Sequence, residues 1–216
     1  MRPDGYGASE KTGGSMSEQL VPIDAETEDF AQQIADQMES FLIALKAIAR
    51  EGNAGQAVSL LLLEVSQILL AGARLGAQQD FTPIDEFQAD VGPEPDVDKL
   101  RERLAEMLGD VDTYSFVFDP YDPDVVDSQL SDDLCSIATD LENGLRHYRA
   151  GRIVEALWWW QFSYVSSWGN LAGAALNALL TVISHDRLDA EDAWDAEQPF
   201  EVEARVRRGP RGHQIL

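Results

Sequence analysis

The sequence predicts an all-α fold, a single-domain bundle of about six helices with an acidic, proline-containing loop and disordered termini. Three observations predict it. Apolar residues recur at steps of three and four through most of residues 25–187. Prolines and glycines gather at the ends of those periodic runs, where helices stop. With 44% of its 216 residues hydrophobic, the chain can fill one core.

Residues 1–24 are glycine, serine and charge with little apolar periodicity, and read as a disordered leader that cannot offset the entropy of ordering. A first helix is expected over 27–50, where Phe30, Ile34, Met38, Phe41, Leu45 and Ile48 form one stripe opposite Gln33, Asp36, Glu39 and Lys46. Glu51-Gly52-Asn53 ends it. The next helix, near 54–77, is apolar around nearly its whole circumference and is expected at the centre. Residues 58–75 are long enough to span a bilayer, but Glu64, Gln67 and Arg74 are costly at that depth, so a core helix is the better reading and no membrane partner is expected.

Pro83, Pro93 and Pro95 interrupt the chain before a short helix near 97–108. Residues 109–127 hold Tyr114, Phe116 and Phe118 followed by Asp119-Pro120-Tyr121-Asp122-Pro123, and are read as a loop, because two prolines oppose both a continuous helix and a central strand. Ser131, with Asp132 and Asp133 behind it, reads as the N-cap of a helix reaching Arg149. A fifth helix, 153–168, contains Trp158-Trp159-Trp160, and Gly169 separates it from a sixth, 171–185. Residues 188–216 turn from acidic to basic and are expected to be a mobile tail.

Charge narrows the function. Thirty-nine acids against sixteen bases give a net charge of −23, so the core is not expected to bind nucleic acid directly. Residues 84–133 alone carry sixteen acids and three bases. A single cysteine, Cys135, excludes an intramolecular disulfide and fits the cytoplasm. No nucleophile elbow, Walker loop or dinucleotide fingerprint is present. His147, His185 and His213 lack zinc spacing, and Asp119, Asp122, Asp124 and Asp127 lack the glycine and closing glutamate of an EF-hand. No cofactor, metal or catalytic residue is implied, and the reading leans away from an enzyme.

Two anomalies supply candidate surfaces. On a wheel of the fifth helix, Ile153, Leu157, Trp160, Tyr164 and Trp168 form one apolar stripe and Val154, Trp158, Phe162 and Val165 another, so packing on two sides is expected. Trp159 falls instead with Glu155, Ser163 and Ser166, where it either lies under the 110–127 loop or meets a ligand or partner. The second helix has the opposite anomaly, a narrow polar stripe of Glu64, Gln67, Ala71 and Arg74, which is either a wet edge or one wall of a pocket facing the fifth helix. The leading reading is a non-enzymatic interaction module whose acidic loop, with Asp119, Tyr121 and Asp122, and adjoining Trp159 stripe contact a protein of basic or mixed charge. The alternative is a small-molecule or enzymatic pocket of Glu64, Gln67, Arg74, Arg146, Trp159 and Tyr164.

Gly144, Tyr148, Gly151, Ala156 and Trp160 partly resemble one tetratricopeptide hairpin, with small residues where the helices touch. A wider resemblance rests on Leu60-Leu61-Leu62-Leu63-Glu64-Val65, Phe118-Asp119-Pro120-Tyr121, Leu130-Ser131-Asp132-Asp133-Leu134, His147-Tyr148-Arg149-Ala150-Gly151-Arg152 and Glu155-Ala156-Leu157-Trp158-Trp159-Trp160-Gln161-Phe162-Ser163-Tyr164. In this order the strings resemble the bacterial family called domain of unknown function 5063. The resemblance implies a helical fold over about residues 28–188 and assigns no activity.

Overall fold

The computed structural model describes residues 23–52, 54–83, 92, 93 and 95–196, with the backbone alone at 54 and 189–196. The expected leader 1–24 and tail 188–216 therefore lie largely outside the described residues, as does most of the segment before the short third helix.

Helix α1 (Ala25–Glu51) starts where the Asp24 carboxylate accepts the Thr27 N–H at 2.8 Å, and stops at Gly52. Its stripe Ile34, Met38, Phe41 and Leu45 is fully buried, as its periodicity predicts. Helix α2 (Ala54–Gly76) buries Leu61, Val65, Ile68, Ala71 and Leu75. By length and composition alone its residues Gly55–Gly76 could cross a membrane, yet this face packs on α1. It is not enclosed all round, however: Leu60, Leu63 and Leu70 are exposed.

Helix α3 (Asp98–Leu108) ends in the left-handed Gly109 and a single 3-10 turn. The segment expected to be a loop is a β-hairpin. Strands β1 (Thr113–Asp119) and β2 (Asp122–Gln129) pair antiparallel, with Tyr114 opposite Ser128 and Phe116 opposite Val126. The prolines permit it. Pro120 occupies the two-residue turn, and Pro123 sits on an outer strand, which tolerates a missing N–H.

Helix α4 (Leu130–Arg149) begins directly from β2, so Gln129 and not Ser131 stands at the cap position. Ser131 is buried, and its hydroxyl donates to the Asp112 carboxylate at 2.8 Å. Gly151, left-handed, turns the chain into α5 (Ile153–Ser163). Trp160 fits a notch made by Gly144, and its indole N–H donates to the Leu141 carbonyl at 3.0 Å. A π-helical turn, Tyr164–Trp168, joins α5 to α6 (Gly169–Ala196), so the expected break is a bulge before Gly169, and the last helix runs past residue 185. Among the described residues the architecture is thus helical apart from one small hairpin, around a core shared by all six helices.

Candidate functional site

The hairpin is held by two buried carboxylates at its base. Asp112 accepts the Ser131 N–H at 2.8 Å as well as its hydroxyl, clamping the point where β2 enters α4. Asp133, one turn further along, accepts the Tyr114 hydroxyl at 2.5 Å and the Ser128 hydroxyl at 3.0 Å. Burial pushes the Asp133 carboxyl above the usual carboxylate range and outweighs the opposing effect of those two hydrogen bonds. The same burial, with the Asp133 charge, raises Tyr114, which keeps its proton and serves as a donor. Seven residues on, Asp140 is also raised by burial and accepts the Ser167 hydroxyl from the π turn at 3.0 Å.

Alternation along β1 then sorts the hairpin into two faces. Tyr114, Phe116 and Phe118 form a ring ladder with centroids 5.5 and 6.3 Å apart, shared with Val126 and Ser128 across the ladder. The other face presents Ser115, Val117, Val125 and Asp127, with the Ser115 hydroxyl on the Asp127 carboxylate at 2.7 Å. At the tip, Asp119 accepts the Tyr121 N–H at 2.8 Å and thereby shapes the turn. The Tyr121 ring is 98% exposed and Val125 70%. Asp122, Asp124 and Asp127 stand exposed along the same strand.

Trp159 lies elsewhere. Half-buried, it stacks on His147 at 6.0 Å and meets Trp158 edge-on at 5.4 Å. Its shielded indole N–H finds no acceptor among the described residues. Within α5 the stripe it belongs to turns inward, Glu155 being buried and Ser163 buried with its hydroxyl on the Trp159 carbonyl at 2.6 Å, whereas Ser166, in the π turn, is exposed. The second apolar stripe turns outward instead, leaving Phe162 53% and Val165 67% exposed. Two anchors set this rotation. One is Trp160 in the Gly144 notch. The other is Gln161, whose amide nitrogen donates to the Leu75 carbonyl at 3.0 Å and whose oxygen accepts the Phe81 N–H at 3.0 Å.

The residues of the expected α2–α5 pocket do not converge. Arg74 donates to Gln33 at 2.7 Å and lies over the Phe30 ring at 5.3 Å, in a hollow of about 450 Å³ between α1 and the end of α2. Glu64, raised by burial, borders a separate hollow of about 260 Å³ with Ala44, Ile48 and Leu60. Gln67 is exposed, and Ala71, placed on the polar stripe by the wheel, is fully buried. Arg146 donates to the Pro93 carbonyl, and Tyr164 packs against Gly72 and Trp168. No group of three metal-ligating side chains comes together among the described residues. Cys135 is buried, its thiol pushed up to about 11 by desolvation, and behaves as a small hydrophobe.

Sequence reasoning did not single out Asp112, Tyr114, Ser128, Asp133 or Asp140 as a set. The available signal was the every-other-residue aromatics of β1, which define a strand and bring Tyr114 and Ser128 to one face.

The family model described as Domain of unknown function (DUF5063) matches residues 25–185, from the start of α1 into α6. No curated protein matches the sequence. The crystal structure of protein BF1032 from Bacteroides fragilis aligns with a TM-score of 0.55 at 20% identity, covering 74% of this chain and 92% of that one, which shows a shared fold.

Proposed function

The chain belongs to the family described as domain of unknown function DUF5063, and we propose that it acts as a non-enzymatic protein-interaction module whose acidic hairpin contacts a basic or mixed-charge surface of a partner protein. The observation that carries this reading is the exposure of Tyr121 and Val125 on a hairpin whose base is clamped by two buried carboxylates. Apolar side chains held out in water on a braced element cost solvation and are stabilised by a partner that covers them. Tyrosine at such a tip supplies a large, rigid contact with a polar end. Around it, Asp122, Asp124 and Asp127 favour encounter with a positive surface and repel nucleic acid. Trp159, packed on His147, supports α5 from behind in this reading and leaves the contact to the hairpin. With one buried cysteine, a reducing compartment such as the cytoplasm suits the chain.

The test is a double variant, Tyr121→Ser with Val125→Ser, used beside the parent chain as bait in cells that make it naturally. Loss of captured partners with an unchanged circular dichroism spectrum is expected. Capture of the same partners by the folded variant rejects the hairpin as the contact. The pocket alternative has less support, because its six residues are spread over separate places.

A further inference from the structure

Strand β2 is unusual in that residues 122–127 are exposed without exception, on both faces of the ribbon. Among the described residues its one neighbour in the sheet is β1. The helices meet the hairpin through β1, which packs against α6, and through the end of β2 that runs into α4. A strand in this position presents a row of unpaired N–H and C=O groups, a ready template for another strand. Two-stranded ribbons are marginal in water, and a third strand stabilises them.

We propose that the open edge of β2 takes an extended strand from the partner, of pattern basic–apolar–apolar–basic, laid beside Asp124-Val125-Val126-Asp127. This rests on the reading of the hairpin as the contact surface and names how the contact is made. Because faces alternate along a strand, Val125 and Asp127 lie on one face and Asp124 and Val126 on the other. Each face therefore offers one valine and one carboxylate to the residues directly opposite. A lysine or arginine opposite each aspartate and a β-branched residue opposite each valine match both faces at once. Main-chain hydrogen bonds supply the adhesion, and the alternating side chains supply the choice of partner. The same four residues exclude a second copy of this hairpin, since edge-to-edge pairing would set carboxylates beside carboxylates. Pro123, which has no N–H, limits the paired stretch at the turn end.

The experiment measures fluorescence anisotropy of labelled acetyl-Thr-Lys-Val-Val-Lys-Thr-amide with the full chain, together with amide hydrogen exchange of β2. Two comparison peptides carry Glu for Lys, or N-methyl groups on both valines, which remove the central donor from each edge of the peptide and crowd both edges. Binding of the lysine peptide is expected, with slowed exchange confined to residues 124–128. The glutamate peptide should bind at least about tenfold more weakly, and the N-methylated one no better. In the charge-reversed variant Asp124→Lys with Asp127→Lys, checked for fold, the preference should invert. Equal binding of the N-methylated peptide overturns the proposal in favour of charge attraction alone. So does unchanged β2 exchange, the absence of binding, or a doubled mass with β2 protected before any peptide is added. Loss of cellular partners in the Tyr121 and Val125 variant alongside indifference to N-methylation would sink strand addition while leaving the hairpin as the contact.

Discussion

Asp133 and Asp140 are carboxylates that folding makes harder to ionise. Both have pKa values raised above 3.8 by burial, so the folded chain keeps protons that the unfolded chain has already released. Their contribution is therefore most favourable at and below the ordinary carboxylate pKa, and it declines as pH rises through their raised folded values. Asp24 has the opposite sign. Its pKa is lowered by the Thr27 hydrogen bonds, and its contribution is lost only as pH falls below 3.8. We expect Asp133→Asn and Asp140→Asn each to flatten the fall in Tm between about pH 4.5 and about pH 7, measured by thermal melts across that range. An unaltered slope in both variants would show that these groups ionise as freely folded as unfolded. Tyr114→Phe, which leaves Asp133 one donor short in a buried place, should cost about 1–2 kcal/mol. At Gly144 the constraint is steric, since an added Cβ would lie 2.1 Å from the Trp160 indole nitrogen. Gly144→Ala should cost about 3 kcal/mol and lower Tm by roughly 10 °C. A melt unchanged by that substitution would mean the two helices part more readily than their packing implies. The Gly144–Trp160 contact was legible in the sequence as a small residue facing a large one across a helical hairpin.

At the scale of elements, legibility depends on whether hydropathy alone fixes the answer. It does for α1, whose single stripe can face only one way, and its boundaries and core side agree with the periodicity. It does not for α5, where the wheel sorts residues into stripes correctly but cannot say which of two stripes turns inward. The Gly144 notch and the Gln161 amide decide that, and they put Glu155 and Ser163 inside and Phe162 outside. The hairpin was hidden for another reason: proline opposes a strand only where its N–H is needed, and neither Pro120 nor Pro123 stands at such a position. The π turn was foreshadowed by Gly169, where any Cβ would come within 2.4 Å of the Tyr164 carbonyl. One extra residue is absorbed by that wider turn, so α6 keeps the facing it would have after an unbroken α-helix one residue shorter. Removing the exposed Ser166 should convert the turn to regular α-helix and leave α6 close to its present rotation. Ala172, Ala175 and Leu179 would stay on the core. We expect the deletion to unfold cooperatively, and Ser166→Ala to melt like the parent. A deletion variant without a cooperative melt would show that α6 docks only through the wider turn.

For the whole molecule, two properties that look opposed work together. The folded body exposes Leu63 and Leu70 on α2, Phe162 on α5, Val165 in the π turn and Leu180 on α6, while the chain carries a net charge of −23 with a pI near 4.2. Charge of that size keeps chains apart at neutral pH although each has apolar surface to bury. Lowering the pH toward the pI removes the repulsion, and over the same interval the buried Asp133 and Asp140 carboxyls take up protons without cost to the fold, so the species that associates should be the native one. Sedimentation velocity is therefore expected to show one small species at about pH 7.5 in low salt and larger species as pH approaches the pI, with the helical spectrum retained. Added salt at neutral pH should act in the same direction by screening. Phe162→Gln with Val165→Gln should reduce the association while leaving Tm nearly unchanged, because both side chains already stand in water. If association is accompanied by loss of the helical spectrum, or ignores this double substitution, the exposed Phe162 and Val165 are not what the charge holds in check.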